Sequence, residues 1–125
     1  MPKLREPKNL GDLLKYEAPN RYSRDLAPVA LGQKLALGAV VAREPAGARL
    51  QALDPAATDS LAQAVGVLIE AVDATAAEVP QALLLARHAI VSDPSLAWPA
   101  GITPAQKTTA IAQLQALGIL VRTGA

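Results

Sequence analysis

The chain has 125 residues, of which 51% are hydrophobic, and it contains neither cysteine nor phenylalanine. This length is typical of one domain with a single core, and the lack of cysteine excludes a disulfide framework and a thiolate metal site. The formal net charge of +1 is too small to steer the protein to nucleic acid by itself. No apolar run approaches the roughly 18 residues of a membrane span, and the opening residues lack the apolar stretch of a secretory signal. We therefore expect a protein that is made in the cytoplasm and has no membrane contact.

Residues 1–28 differ from the rest of the chain because they are rich in proline and charged side chains and have little apolar periodicity. Such a segment buries too little surface to offset its ordering entropy, so we predict a flexible arm over residues 1–28 and a folded domain over residues 29–125. The arm contains an apolar and aromatic patch whose alternating side chains suit a strand added to a partner. This patch consists of Leu13, Leu14, Lys15, Tyr16 and Glu17. A frayed terminus without a role is the alternative.

The middle of the chain consists of short apolar runs separated by Gly, Pro and Asp, a pattern that favours strands over helices. The predicted strands lie within residues 35–42, 49–53, 65–72 and 83–91. Two alanine-rich stretches, residues 56–64 and 74–82, are short, and Pro80 interrupts the second, so we predict turns or loops for both.

The clearest predicted element is a helix near the end of the chain. Thr103 is suited to the N-cap, Pro104 to the first helical position, and Gln106 completes a capping box. Gly118 is suited to the left-handed position that ends the helix, and residues 119–121 predict a short edge strand after it. The side chains expected to face the core are Ile111, Leu114 and Leu117. The predicted fold class is α+β, a mostly β domain with one C-terminal helix.

Residues with catalytic or binding chemistry are sparse. His88 is the single histidine and lies beside Arg87 in a predicted strand, so we predict a structural or interface role for it. No serine has the context of a hydrolase nucleophile, and the carboxylates lack the spacing of a calcium loop. Trp98, followed by Pro99, lies in an apolar context that favours a core or interface anchor over a base-stacking platform. We therefore predict no catalytic residue, no metal site and no cofactor.

Several segments taken in order resemble the lambda-like bacteriophage head decoration protein family over about residues 13–122. The most specific feature is Trp98-Pro99 leading into a terminal helix that contains Lys107. The other matching segments are residues 64–68 (AVGVL), Val72-Asp73, Arg87-His88-Ala89, and the arm sequence LLKYEAPNRYSRD at residues 13–25.

This resemblance implies a β-clip-like domain without catalytic activity that binds as a homotrimer at three-fold positions of the expanded capsid. It also implies that the arm adds a strand to the major capsid protein and that the bound trimer stabilises the shell against the internal pressure of DNA. The expected location is the outer surface of the capsid in the virion, and the host cytoplasm during assembly. The alternative is a phage or prophage structural module that displays a ligand or binds nucleic acid through its basic arm, whereas no direct nucleic-acid contact is expected of the decoration protein.

Overall fold

A computed structural model describes residues 9–47 and 49–123 of the chain. These residues form ten strands, two α-helices and short 3₁₀ turns, which confirms the predicted mostly β fold with a C-terminal helix. The elements in chain order are α1 Leu10–Leu13, β1 Leu14–Glu17, β2 Arg24–Val29, β3 Lys34–Leu35, β4 Val40–Arg43, β5 Leu50–Ala52, β6 Gly66–Leu68, β7 Val72–Asp73, β8 Val79–Leu85, β9 Ala89–Ser92, α2 Pro104–Ala116 and β10 Ile119–Arg122.

Five strands close into a small barrel in the order β2-β5-β4-β6-β8. All neighbouring pairs in it are antiparallel except β2 and β5, which are parallel. Each of the five strands contributes to one aliphatic cluster, in which Val29, Val41, Leu50, Leu68 and Leu84 are fully buried. Because successive strand residues point to opposite faces, this cluster fills the inside of the barrel.

A second layer covers part of the outside of the barrel. The sheet β1-β9-β10 and helix α2 pack there against side chains that alternate with those of the interior, such as Val40 on β4 and Leu85 on β8. Leu13, Val91, Leu114 and Ile119 join this second cluster. Both faces of β4, β6 and the last residues of β8 are therefore buried, which explains why these segments are apolar runs in the sequence.

Helix α2 begins as predicted. The Thr103 hydroxyl accepts a hydrogen bond from the Gln106 amide at 3.1 Å, and the Gln106 side chain accepts one from the Thr103 amide at 3.0 Å. The predicted core face is only partly correct, since Leu114 is fully buried but Ile111 is half-buried and Leu117 is 37% exposed. The helix approaches the barrel through the small Ala110 together with Leu114, one turn apart, so the buried stripe is narrower than predicted.

The structure differs from the predicted division between residues 28 and 29. Leu13 is fully buried, β1 pairs with β9, and β2 is a full barrel strand between β5 and β8. Residues 9–28 are therefore packed into the domain. Few apolar side chains are enough to hold this segment, because a half-buried strand needs apolar residues only at alternate positions, such as Ala27 and Val29. Its backbone is held by hydrogen bonds to the neighbouring strands. The part of the predicted arm before Asn9 lies outside the described residues.

The second alanine-rich stretch also differs from its prediction, because its last residues begin strand β8. The pairing of β2 with β8 shifts register between Ala27 and Val29, and Pro28 and Pro80 both lie at this irregularity. Proline has no amide hydrogen to donate to the sheet, so it is tolerated where the pairing is interrupted. The first stretch, residues 56–64, contains only one 3₁₀ turn, which agrees with the predicted turn.

Candidate functional site

Strand β1 contains four of the five residues that the sequence singles out for partner binding. It pairs with β9 along one side and forms one edge of its sheet, so its other side has no strand partner within the described residues. An irregularity between Leu14 and Tyr16 places Lys15 and Tyr16 next to each other in solvent, so the predicted alternation is interrupted. Tyr16 is 52% exposed. Leu13 lies at the end of α1 in the core, so it anchors the segment to its own domain.

Glu17 fixes the end of β1 to the barrel. The Arg24 guanidinium donates two hydrogen bonds of 2.7 Å to the Glu17 carboxylate, one to each oxygen. These hydrogen bonds lower the pKa of Glu17 and raise the pKa of Arg24. Paired N–H donors of this geometry form one of the stronger ion pairs in proteins. The Glu17 carboxylate is thus occupied by a contact within the protein. The side chains that the free edge of β1 offers to a partner are therefore mainly Lys15 and Tyr16.

Tyr22, Asp25, Arg87 and His88 meet beyond the end of β1, and we name them the Tyr22 cluster. The Arg87 guanidinium lies 5.1 Å from the centre of the Tyr22 ring, and the His88 ring meets the same ring edge-on at 5.3 Å. Arg87 also forms an ion pair with Asp25 and donates a hydrogen bond to the Tyr22 carbonyl. These contacts hold an aromatic ring that is 54% exposed.

The prediction that Arg87 and His88 lie in a strand is wrong, because both belong to the turn between β8 and β9. His88 has a left-handed backbone (φ 47°) and an exposed side chain. Its conformation is held by the fully buried Ser23, whose hydroxyl donates to the His88 carbonyl at 2.7 Å and accepts from the Ala18 amide at 2.8 Å. An apolar run of strand length in the sequence does not reveal this turn, because the residues on both sides of it are buried.

Trp98 and Pro99 lie at the opposite end of the second layer and are half-buried. The Trp98 indole donates a long hydrogen bond of 3.4 Å to Asp93, and the Lys107 ammonium lies 5.4 Å from the ring centre and 3.3 Å from Asp93. Trp98 and Lys107 therefore connect the turn after β9 to helix α2 by cation–π and ion-pair contacts. Trp98 and Pro99 also line a shallow groove of about 200 Å³ beside Leu35.

Large apolar side chains remain exposed on the part of the barrel that the second layer leaves uncovered. Leu26 on β2 is 57% exposed and pairs across the strands with Leu83, and Leu31 after β2 is 61% exposed. Leu26 lies within the arm predicted from the sequence, and Leu31 lies outside every predicted element. The period-two pattern from Leu26 to Val29 is the signal that indicates a half-buried strand with an exposed leucine.

Within residues 9–47 and 49–123, histidine and acidic side chains do not come together in a group of three or more that could hold a metal ion. Neither described helix combines the length and the apolar character that a membrane crossing requires.

The polar clusters described above connect segments of the chain to each other, while exposed aromatic and aliphatic side chains are typical of surfaces that bind proteins. The described residues form a small β-barrel domain with exposed aromatic and aliphatic side chains. The chain matches the family model of bacteriophage lambda head decoration protein D over residues 3–119, and it belongs to that family. The family is one of structural proteins that decorate the phage capsid. No curated protein matches the sequence significantly.

Proposed function

We propose that this protein binds as a homotrimer to the outer surface of an expanded phage capsid, at its three-fold positions, and stabilises the shell against the pressure of packaged DNA. The observation that carries the proposal is the family match, which spans nearly the whole chain. The chain acts here without catalysis or cofactor, as a ligand of the major capsid protein in the virion. A ligand that binds only the expanded lattice shifts the equilibrium toward that lattice, so attachment by itself stabilises the shell.

The free edge of β1 is the proposed attachment site for the capsid protein. An edge strand offers unpaired backbone groups to a strand of another chain, and here Lys15 and Tyr16 project beside that edge. Leu13 and Glu17 hold the same segment on the domain through core packing and the pair with Arg24. The attachment strand is therefore pre-ordered, which reduces the entropy that binding must overcome.

The exposed leucines support the proposed trimer. Among the large aliphatic side chains of the described residues, Leu26 and Leu31 have the highest exposed fractions. Leu26 lies on β2 and Leu31 just after it. Exposed apolar surface of this kind is typically covered in an assembly, and cyclic symmetry is the usual form of a homo-oligomer. A trimer carries three linked β1 edges, and the first contact raises the effective concentration of the second and third. Individually weak strand contacts therefore give tight binding together.

Co-sedimentation with heads assembled from the major capsid protein of the same phage tests the function. We expect the protein to sediment with expanded heads and not with unexpanded ones, and Tyr16→Ala to weaken sedimentation. Gln115→Ala, an exposed substitution on α2, is the control and should bind like wild type. Equal binding to both head forms, or no binding to either, contradicts the proposal. Sedimentation velocity of the free protein tests the trimer, and a monomer both free and on heads contradicts it.

A further inference from the structure

We propose that the Tyr22 cluster, together with the neighbouring Arg21, is a second binding surface that accepts a carboxylate-bearing segment of a protein partner. The surface consists of a half-exposed tyrosine ring, an arginine above it and a histidine against its edge. Tyrosine and arginine are the residues that most often dominate the energy of protein interfaces, provided that they are held in place.

The cluster is held in place from several segments of the chain. Arg87 is fixed by the Asp25 carboxylate and the Tyr22 carbonyl, and Ser23 fixes the His88 carbonyl from the core side. A rigid aromatic and a pre-oriented guanidinium lose little conformational entropy when a partner binds. The surface is therefore prepared for a contact before any partner is present.

Backbone strain in the described part of the chain is concentrated at the same place. Asn20, Arg21 and His88 are the non-glycine residues with a left-handed φ within residues 9–47 and 49–123. They lie in the two turns that form the Tyr22 cluster. Such conformations cost free energy and persist where the surroundings enforce them, and they are found disproportionately at functional sites. Strain confined to one exposed aromatic cluster favours a binding role over a purely structural one.

The charge of the cluster determines the partner. Arg24 is paired with Glu17 and Arg87 with Asp25, so the neighbouring Arg21 leaves one positive charge in excess. Arg21 is exposed, and Arg87 has more N–H donors than its two contacts use. Free guanidinium donors bind a carboxylate in a matching planar geometry. Exposed Arg21 and the unused donors of Arg87 are too few for the several phosphate contacts that carry binding to a nucleic acid backbone, so an acidic protein segment is the better complement.

The position of the cluster relates it to the proposed attachment strand. The Ala18 amide, just after β1, is bonded to Ser23, so the cluster lies at the end of the β1 edge. A partner strand that adds to β1 and continues past Glu17 would run toward the turn that contains Tyr22. The identity of the partner as the capsid protein rests on the proposed function, whereas the carboxylate chemistry of the surface does not.

An NMR titration of the full chain with hexaglutamate tests the surface without capsids. We expect shifts of the His88 ring and the Arg21 and Arg87 side-chain signals, loss of the shifts at high salt, and no response to hexalysine. Arg49 is the internal control, since it is an exposed arginine in an ion pair with Glu78 near the other end of β2. Equal shifts at Arg49, no shift at the cluster, or a stronger response to a single-stranded oligonucleotide overturns the proposal.

Binding to expanded heads tests the partner. Tyr22→Ala should weaken binding about thirtyfold or more, the loss typical of an interface hot spot, and Arg21→Gln should weaken it at low salt only. Arg49→Gln should bind like wild type. Because Tyr22→Ala removes a packed ring, circular dichroism of each variant checks the fold, and Arg21→Gln provides the result if Tyr22→Ala is unfolded. Wild-type binding by both variants overturns the proposal while the proposed function stands. If wild type itself fails to bind heads, the proposed function fails and the hexaglutamate titration alone decides the surface.

Discussion

Leu13→Ala tests whether the segment before residue 28 belongs to the folding unit. Leu13 is fully buried in the cluster that β1, β9 and α2 share. The substitution removes about three CH₂-sized groups from the core, worth about 2.4 kcal/mol at about 0.8 kcal/mol each. The cavity left behind raises the expected loss in free energy of unfolding to about 3 to 4 kcal/mol. That loss corresponds to a fall in melting temperature of roughly 10 °C or more.

Urea unfolding measures this loss with two probes, the circular dichroism of the backbone and the fluorescence of Trp98, the single tryptophan. Trp98 packs against the same core cluster as Leu13, so both probes should report one shifted transition with an unchanged slope. Tyr16→Ala is the matched control on β1, where an exposed side chain should change stability by no more than about 0.5 kcal/mol. If Leu13→Ala costs less than that, residues 9–17 are a mobile arm in solution and do not pack into the domain.

Three further predictions concern the terminal helix, its end and the β1 ion pair. Leu114→Ala should lower the free energy of unfolding in urea by roughly 2 to 5 kcal/mol. Leu117→Ala should lower it much less, because that side chain is 37% exposed. Equal losses in the two variants would mean that the helix is rotated about its axis. Gly118→Ala should lower the melting temperature, because φ is 83° and the added carbon lies 2.8 Å from the histidine ring of the turn before β9. In the control Gly47→Ala the added carbon meets nothing within 4 Å, so the melting temperature should hardly change. Because its arginine partner lowers the pKa of Glu17, the pair stabilises the fold above the ordinary value of 4.5 and loses this effect as pH falls through the lowered pKa. The stability difference between wild type and Glu17→Gln should therefore be present at neutral pH and disappear in strong acid, and a difference that persists in acid would refute this assignment.

The start and the end of helix α2 were predictable from the sequence, because they depend on residues that are close together in the chain. The capping box of Thr103 and Gln106 satisfies its own amides within one turn, and Gly118 adopts the left-handed backbone that ends the helix. The strands overlap the apolar runs, but the runs at residues 35–42, 65–72 and 83–91 each contain a break between two strands. The turn at His88 was not predictable, because its left-handed backbone depends on Ser23, distant in sequence, and on the absence of a side chain at Gly118.

The candidate site was predictable only in part. The patch at residues 13–17 was predicted from its composition to bind a partner, but its sequence did not show that Leu13 turns into the core while Tyr16 remains outside. The Tyr22 cluster brings together residues more than 60 positions apart, so no spacing in the sequence indicated it.

Composition, capping residues and apolar runs by themselves determined a small, mostly β domain with one terminal helix, because each depends on interactions between residues close in the chain. The resemblance in the order of short motifs indicated the family. Only the tertiary structure decided that residues 9–28 are part of the domain, since β2 is stable there through hydrogen bonds to β5 and β8 and through a core supplied by other strands. It also decided which side of each strand is covered. Burial depends on the elements that pack against a face, and the sequence of a single strand does not show which elements these are.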